Sequence, residues 1–154
     1  MAWTQVLSWA SFSGRYGQGC AALGTEVVMM GGNGYSGMLS DVWMSADMGS
    51  SWTAQASGPE RMWFGIAVFL SKLWVVGGTG SSMFGDVWCS STALSSWSQA
   101  NASAFPSGLY AMGLTVLHDR MWVAGGYGSA SQNEVYFGTG RRWDDESERV
   151  SCGH

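Results

Sequence analysis

Leu73-Trp74-Val75-Val76-Gly77-Gly78-Thr79-Gly80 is followed by Asp86-Val87-Trp88 and closed by Trp97. The same order occurs on both sides of it. Upstream stand Val27-Val28-Met29-Met30-Gly31-Gly32-Asn33-Gly34, Asp41-Val42-Trp43 and Trp52. Downstream stand Met121-Trp122-Val123-Ala124-Gly125-Gly126-Tyr127-Gly128, Glu134-Val135-Tyr136 and Trp143. The doublets begin 46 and 48 residues apart. Gly19, Gly65 and Gly113 each lie 12 residues before a doublet, and Arg15 and Arg61 each lie 16 before. Leu109 takes the arginine's place in the third unit. Self-similarity at this period marks a tandem array of one supersecondary unit.

Each unit reads as four short strands. In the second they fall near 65–70, 72–77, 86–90 and 96–99, β-branched or aromatic runs bounded by Gly and Ser. No helical period persists for a full helix. Gly24-Thr25, Ser71-Lys72 and Asp119-Arg120 read as two-residue hairpin connections between the first two strands. A four-stranded unit of this length in tandem is a propeller blade. The expected fold is therefore all-β: a partial β-propeller of three four-stranded blades, about 14–56, 57–104 and 105–143. Trp3-Thr4-Gln5 matches Trp97-Ser98-Gln99, so residues 1–13 are expected to hold the orphan outer strand of a preceding blade and its linker. Residues 144–154 form a charged, polar tail.

Composition supports an ordered domain and excludes several functions. The chain has 154 residues, 46% of them hydrophobic, with 10 Trp, enough apolar surface for a real core. Charged residues are only 12% and the net charge is -4, with Lys72 the single lysine, so no basic nucleic-acid footprint exists. No apolar run approaches the length of a membrane helix. Cys20, Cys89 and Cys152 lack metal-ligand spacing and define no disulfide framework, and Cys20 and Cys89 read as small buried apolar residues. No metal or cofactor is implied.

The doublets, the Asp-Val-Trp strand and the closing Trp resemble the kelch repeat of β-propellers such as the central domain of galactose oxidase. Ser45-Ala46-Asp47-Met48-Gly49-Ser50-Ser51-Trp52 is similar to the Asp box of sialidase-type propellers. The kelch resemblance covers about residues 14–143. Both motifs specify fold more than function. Trp43, Trp88 and Tyr136 are expected to pack between units, and Trp52 and Trp97 to cover the outer strand. Asp41, Asp86 and Glu134 are expected to accept backbone N–H bonds where the third strand begins, and Asp47 to do so within its turn.

Catalytic patterns are missing from the sequence. Gly32-Asn33-Gly34-Tyr35-Ser36-Gly37 matches G-x-G-x-x-G, but no helix or Lys-Ser/Thr follows and the glycines recur with the repeat. The histidines are His118, in an expected turn, and His154. A copper oxidase on the kelch scaffold needs clustered Tyr and His. Sialidase-type chemistry needs several arginines converging on a carboxylate, with a tyrosine nucleophile; Arg15 and Arg61 recur with the repeat, and Leu109 occupies the slot of a third. What remains is a surface. In kelch propellers the loops before each first strand and after each second strand share one face. Here those loops bring Arg15, Tyr16, Arg61, Trp63 and Tyr110, and then Tyr35, Met38, Phe84 and Tyr127. Aromatics and arginine are the chemistry of binding hot spots.

The expectation is a non-enzymatic module that recognises a protein or a glycan through this face. The alternative is part of a secreted, sialidase-like glycosidase whose catalytic residues lie elsewhere. Three units are too few to close a ring. The chain is then a fragment of a larger propeller, or two copies form a homodimer of six blades. The Asp box and the sequon Asn101-Ala102-Ser103 point toward export as part of a longer precursor, while cytoplasmic kelch propellers leave the compartment open.

Overall fold

The apolar run before each glycine doublet forms the second strand of an antiparallel sheet, because β-branched and aromatic side chains fit a surface packed on both faces. A computed structural model of the chain describes residues 2–139. The first unit contains β1 (Arg15–Tyr16), β2 (Gly19–Leu23), β3 (Glu26–Met30), β4 (Asn33–Gly34), β5 (Gly37–Met38), β6 (Val42–Ser45) and β7 (Thr53–Gln55). The second contains β8 (Gly65–Phe69), β9 (Lys72–Val76), β10 (Val87–Ser91) and β11 (Trp97–Asn101). The third contains β12 (Gly113–Leu117), β13 (Arg120–Ala124) and β14 (Val135–Gly138). The chain is all-β, with four antiparallel sheets of three or four strands: β2-β3-β6-β7, β8-β9-β10-β11, β12-β13-β14 and a small β1-β4-β5 sheet. Among the described residues these sheets do not close into a ring. The expected outer strand of the third unit, with Trp143, lies outside the described residues.

The three main sheets stack through equivalent faces, with β2 against β8 and β8 against β12. Between the first two lie Val28, Val42, Leu73 and Val75, all fully buried, with Trp88 and Trp97 packed against them. Between the second and third lie Val76, Val87, Met121 and Val123, also fully buried, with Tyr136 alongside. Each such side chain contributes about 1.5–3 kcal/mol of transfer free energy. Trp88 and Tyr136 thus lie between units as expected. Trp43 instead packs edge-on to Phe12 at 6.1 Å, and Trp52 meets the same ring edge-on at 5.3 Å.

The doublets explain the repeat. The first glycine's N–H closes the unit on itself, through Gly31 to Asp41 O, Gly77 to Asp86 O and Gly125 to Glu134 O. The second glycine's N–H reaches the next unit, through Gly32 to Arg61 O (2.9 Å) and Gly78 to Leu109 O (2.8 Å). A Cβ on Gly77 would stand 2.2 Å from Leu109 O, and one on Gly31 2.7 Å from Arg61 O. The doublet is where neighbouring units touch backbone to backbone.

Several expectations are corrected. Residues 2–7 form no strand, and Trp3 is almost fully exposed. A lone strand has no sheet edge to hydrogen-bond and leaves its backbone to water. The second and third hairpin turns are Leu70-Ser71 and His118-Asp119, one residue earlier than expected, and all four residues have φ between 48° and 57°. Cys20 is exposed rather than buried, because it sits on the face of β2 turned away from the second sheet. Cys89 is fully buried, as expected. His118 lies in its expected turn and is exposed. No helix among the described residues is long and apolar enough to cross a membrane.

Candidate functional site

Segments before the first strand and after the second strand meet at one end of the stacked sheets. In the first unit they form the β1-β4-β5 sheet, with Arg15 opposite Gly34, Tyr16 opposite Asn33, and Asn33 opposite Met38. The other units keep a minimal version of it, as single bridges Met62–Thr79–Met83 and Tyr110–Tyr127–Ser131. Two-residue strands carry no periodicity, so this ribbon leaves no signal in the sequence.

The ribbon aligns aromatic rings from all three units. Tyr16 and Trp63 have centroids 6.3 Å apart, Trp63 and Tyr110 lie near-parallel at 5.9 Å, and Tyr110 and Tyr127 are 5.4 Å apart. The Tyr16 hydroxyl accepts a 2.7 Å bond from Asn33 Nδ2. Tyr16, Trp63 and Tyr127 are each exposed while Tyr110 is half-buried beneath them, so the row is anchored yet open to solvent.

Trp63 is held in an unusual way. It occupies φ = 52°, at the repeat position of Gly17 (φ 68°) and Ala111 (φ 55°). A bulky side chain in this left-handed region is a genuine outlier. The conformation is locked by bonds that step from unit to unit: Trp63 N–H to Gly17 O at 2.8 Å, and Ala111 N–H to Trp63 O at 2.7 Å. The sequence hint was the glycine at the equivalent position of the first unit. Strain of this kind persists only where its surroundings over-determine it, and such positions concentrate in binding sites.

The two arginines are placed differently from the aromatics. Arg15 makes a bidentate contact to Asp41 (Nη1–Oδ1 2.5 Å, Nη2–Oδ2 2.8 Å) and donates to Gly31 O at 3.1 Å. Arg61 repeats this on Asp86 (2.7 and 3.3 Å) and Gly77 O (2.7 Å), and is buried. Trp43 Nε1 and Trp88 Nε1 donate to the same carboxylates at 2.6 and 2.7 Å. Asp41 and Asp86 therefore receive arginine and tryptophan side chains, and it is their backbone carbonyls that accept the glycine N–H. A buried guanidinium needs a counter-charge, and the repeat supplies the nearest carboxylate. The hydrogen bond from Arg15 holds the Asp41 carboxyl below its ordinary range. Burial pushes Asp86 upward, but bonds from Arg61, Trp88 and Gln99 outweigh it and leave its pKa lowered. Both guanidinium groups are thus paired with a carboxylate inside their own unit, while the buried Arg61 Nε makes no hydrogen bond.

Of the remaining candidates, Phe84 lies under Arg61, with the guanidinium carbon 4.5 Å from the ring centroid. Tyr35 is fully exposed at the ribbon's tip. The Asp box is a structural turn as expected: Asp47 accepts from the Ser51 N–H and hydroxyl (2.8 and 2.6 Å), and Ser45 Oγ accepts from the Gly49 N–H (2.9 Å). These hydrogen bonds from Ser51 lower the Asp47 pKa. Among the described residues no three His, Cys, Asp or Glu converge as metal ligands. No protein-family model matches the sequence, and no curated protein is significantly similar to it.

Proposed function

We propose that this chain is a kelch-like propeller segment acting as a non-enzymatic binding module, which takes a protein or glycan ligand along the row Tyr16–Trp63–Tyr110–Tyr127. The observation that carries this reading is the strained, exposed Trp63 at the centre of that row. The blades correspond to 14–56, 57–104 and 105–143. The chain belongs to a larger assembly, either as a fragment of a longer propeller or as half of a six-blade homodimer. Aromatic rings offer large contact area at small entropic cost and stack equally on sugar faces and apolar side chains. With both arginines paired internally, the row is uncharged, which favours neutral saccharides and apolar peptide segments over anionic ligands.

The glycosidase alternative draws no support from the arginines, because Arg15 and Arg61 serve two separate ion pairs. Screening the chain against glycan and peptide arrays tests the proposal, with Trp63→Ala/Tyr110→Ala as the control. Specific binding that the double variant loses is the expected result. Turnover of a fluorogenic sialoside or glycoside above a heat-killed control would overturn it.

A further inference from the structure

Repeats make an omission visible. In the first two units a carboxylate and a doublet carbonyl build one acceptor site, an indole N–H two residues along donates to the same carboxylate, and an arginine of the same unit fills the site. In both, a phenylalanine ring flanks the guanidinium: Phe12 beside Arg15 at 5.5 Å and Phe84 beside Arg61 at 4.5 Å. The third unit keeps the acceptor side. Glu134 replaces the aspartate, and the Tyr136 hydroxyl donates to Glu134 Oε2 where the tryptophans donate in the other units. This contact raises the Tyr136 pKa, as expected for a phenol bonded to a carboxylate. The arginine, however, is replaced by Leu109, which is buried and has no donor.

A cavity of about 350 Å³ opens at that place, lined by Phe105, Ser107, Leu109, Gln132, Glu134 and Tyr136 among others. Glu134 is exposed, and its Oε1 has no hydrogen-bond partner among the described residues. Glutamate reaches one methylene further than aspartate, so its carboxylate is carried toward the opening. Phe105 and Tyr136 meet edge-to-face at 5.1 Å and form an aromatic wall.

We propose that this cavity is a binding site for a guanidinium group supplied from outside the chain, an arginine side chain of a peptide partner. A carboxylate beside aromatic rings is the environment that the other two units give to their own guanidinium groups. A planar fork pairs with a carboxylate and stacks on a ring at the same time, which an ammonium cannot do. The inference does not rest on the aromatic-row reading, since Tyr16, Trp63 and Tyr127 take no part in the cavity.

The test is calorimetric titration of the full chain with N-acetyl-L-arginine amide, set beside the citrulline and lysine derivatives. The neutral citrulline isostere keeps the shape and removes the charge. The arginine derivative is expected to bind at least about ten-fold more tightly than either, and less tightly as salt rises. Glu134→Gln, an exposed change that leaves folding intact, is expected to abolish the preference for arginine over citrulline. Leu109→Arg is expected to fill the site internally and block binding. Equal binding of arginine and citrulline derivatives, no saturable arginine binding, or a preference that survives Glu134→Gln would each overturn the proposal.

Discussion

Alanine substitution of the first doublet glycine tests whether units touch as described. Gly31, Gly77 and Gly125 share one backbone conformation, with φ of 62°, 56° and 63°. Adding a Cβ there carries the same left-handed penalty in all three, about 1–2 kcal/mol. The surroundings differ. At Gly77 the new atom would stand 2.2 Å from Leu109 O, and at Gly31 2.7 Å from Arg61 O, both backbone atoms of the following unit. At Gly125 the nearest atom is Gln132 O at 3.6 Å, an ordinary contact. Relieving an overlap with fixed backbone adds about 1–3 kcal/mol, as overpacking does elsewhere. Gly77→Ala is therefore expected to cost about 2–5 kcal/mol, Gly31→Ala somewhat less, and Gly125→Ala only the shared conformational penalty of about 1–2 kcal/mol. Equilibrium urea unfolding followed by tryptophan fluorescence, on samples shown to be monomeric, measures all three. Equal costs would refute the argument that the doublets mark the approach of the next unit.

Other consequences follow from the buried pairs and the turns. Arg61→Met leaves Asp86 buried without its counter-charge and is expected to cost about 3–5 kcal/mol, whereas Arg61→Met with Asp86→Leu recovers most of it in the same urea assay. Because Asp41 and Asp86 have lowered pKa values in the folded chain, their stabilisation is complete above the ordinary carboxylate pKa of about 4 and is lost as pH falls through the depressed values. Thermal midpoints should therefore decline below about pH 4. In Arg61→Met, where only the bonds from Trp88 and Gln99 still oppose the burial of the Asp86 carboxylate, the destabilisation should shrink as the carboxyl protonates. Replacing Leu70-Ser71 with Asn-Gly suits the two positive-φ turn positions and should raise stability by about 1–2 kcal/mol, read from the urea midpoint.

What the sequence makes legible is whatever the repeat enforces through backbone chemistry. The glycine doublets, the apolar second strand and the third strand after the acid are each placed within a residue or two by spacing alone. The Asp-box turn is legible for the same reason, since its ligands lie within a few residues. Contacts that join distant positions are harder to see. Arg15 and Asp41 are 26 residues apart, and nothing local pairs them. Their joint recurrence in the second unit, and the change to Leu109 and Glu134 in the third, is a covariation internal to the chain that points to the contact. Trp63 shows the opposite limit. Its left-handed backbone contradicts the preference of its own side chain, and only Gly17 at the equivalent position hints at it. The turns at Leu70-Ser71 and His118-Asp119 lack the Asn-Gly chemistry that announces such hairpins, so tertiary packing fixes the register there.

Trp63→Gly tests the central claim most directly, because it separates a binding residue from a packing one. Glycine relieves about 1–2 kcal/mol of left-handed strain. It forfeits about 0.5–1.5 kcal/mol of ring stacking on Tyr110, about 1–1.5 kcal/mol from the covered half of the side chain and about 0.5–1 kcal/mol of chain entropy. Stability should thus fall by no more than about 3 kcal/mol, less than for Trp74→Ala in the core, which should cost about 3–5 kcal/mol. Urea unfolding and binding to the ligand recovered from the arrays would be measured on the same preparation. The account predicts a smaller loss of stability than in Trp74→Ala, with binding lost. A variant destabilised as severely as Trp74→Ala, yet binding normally once folded, would contradict it.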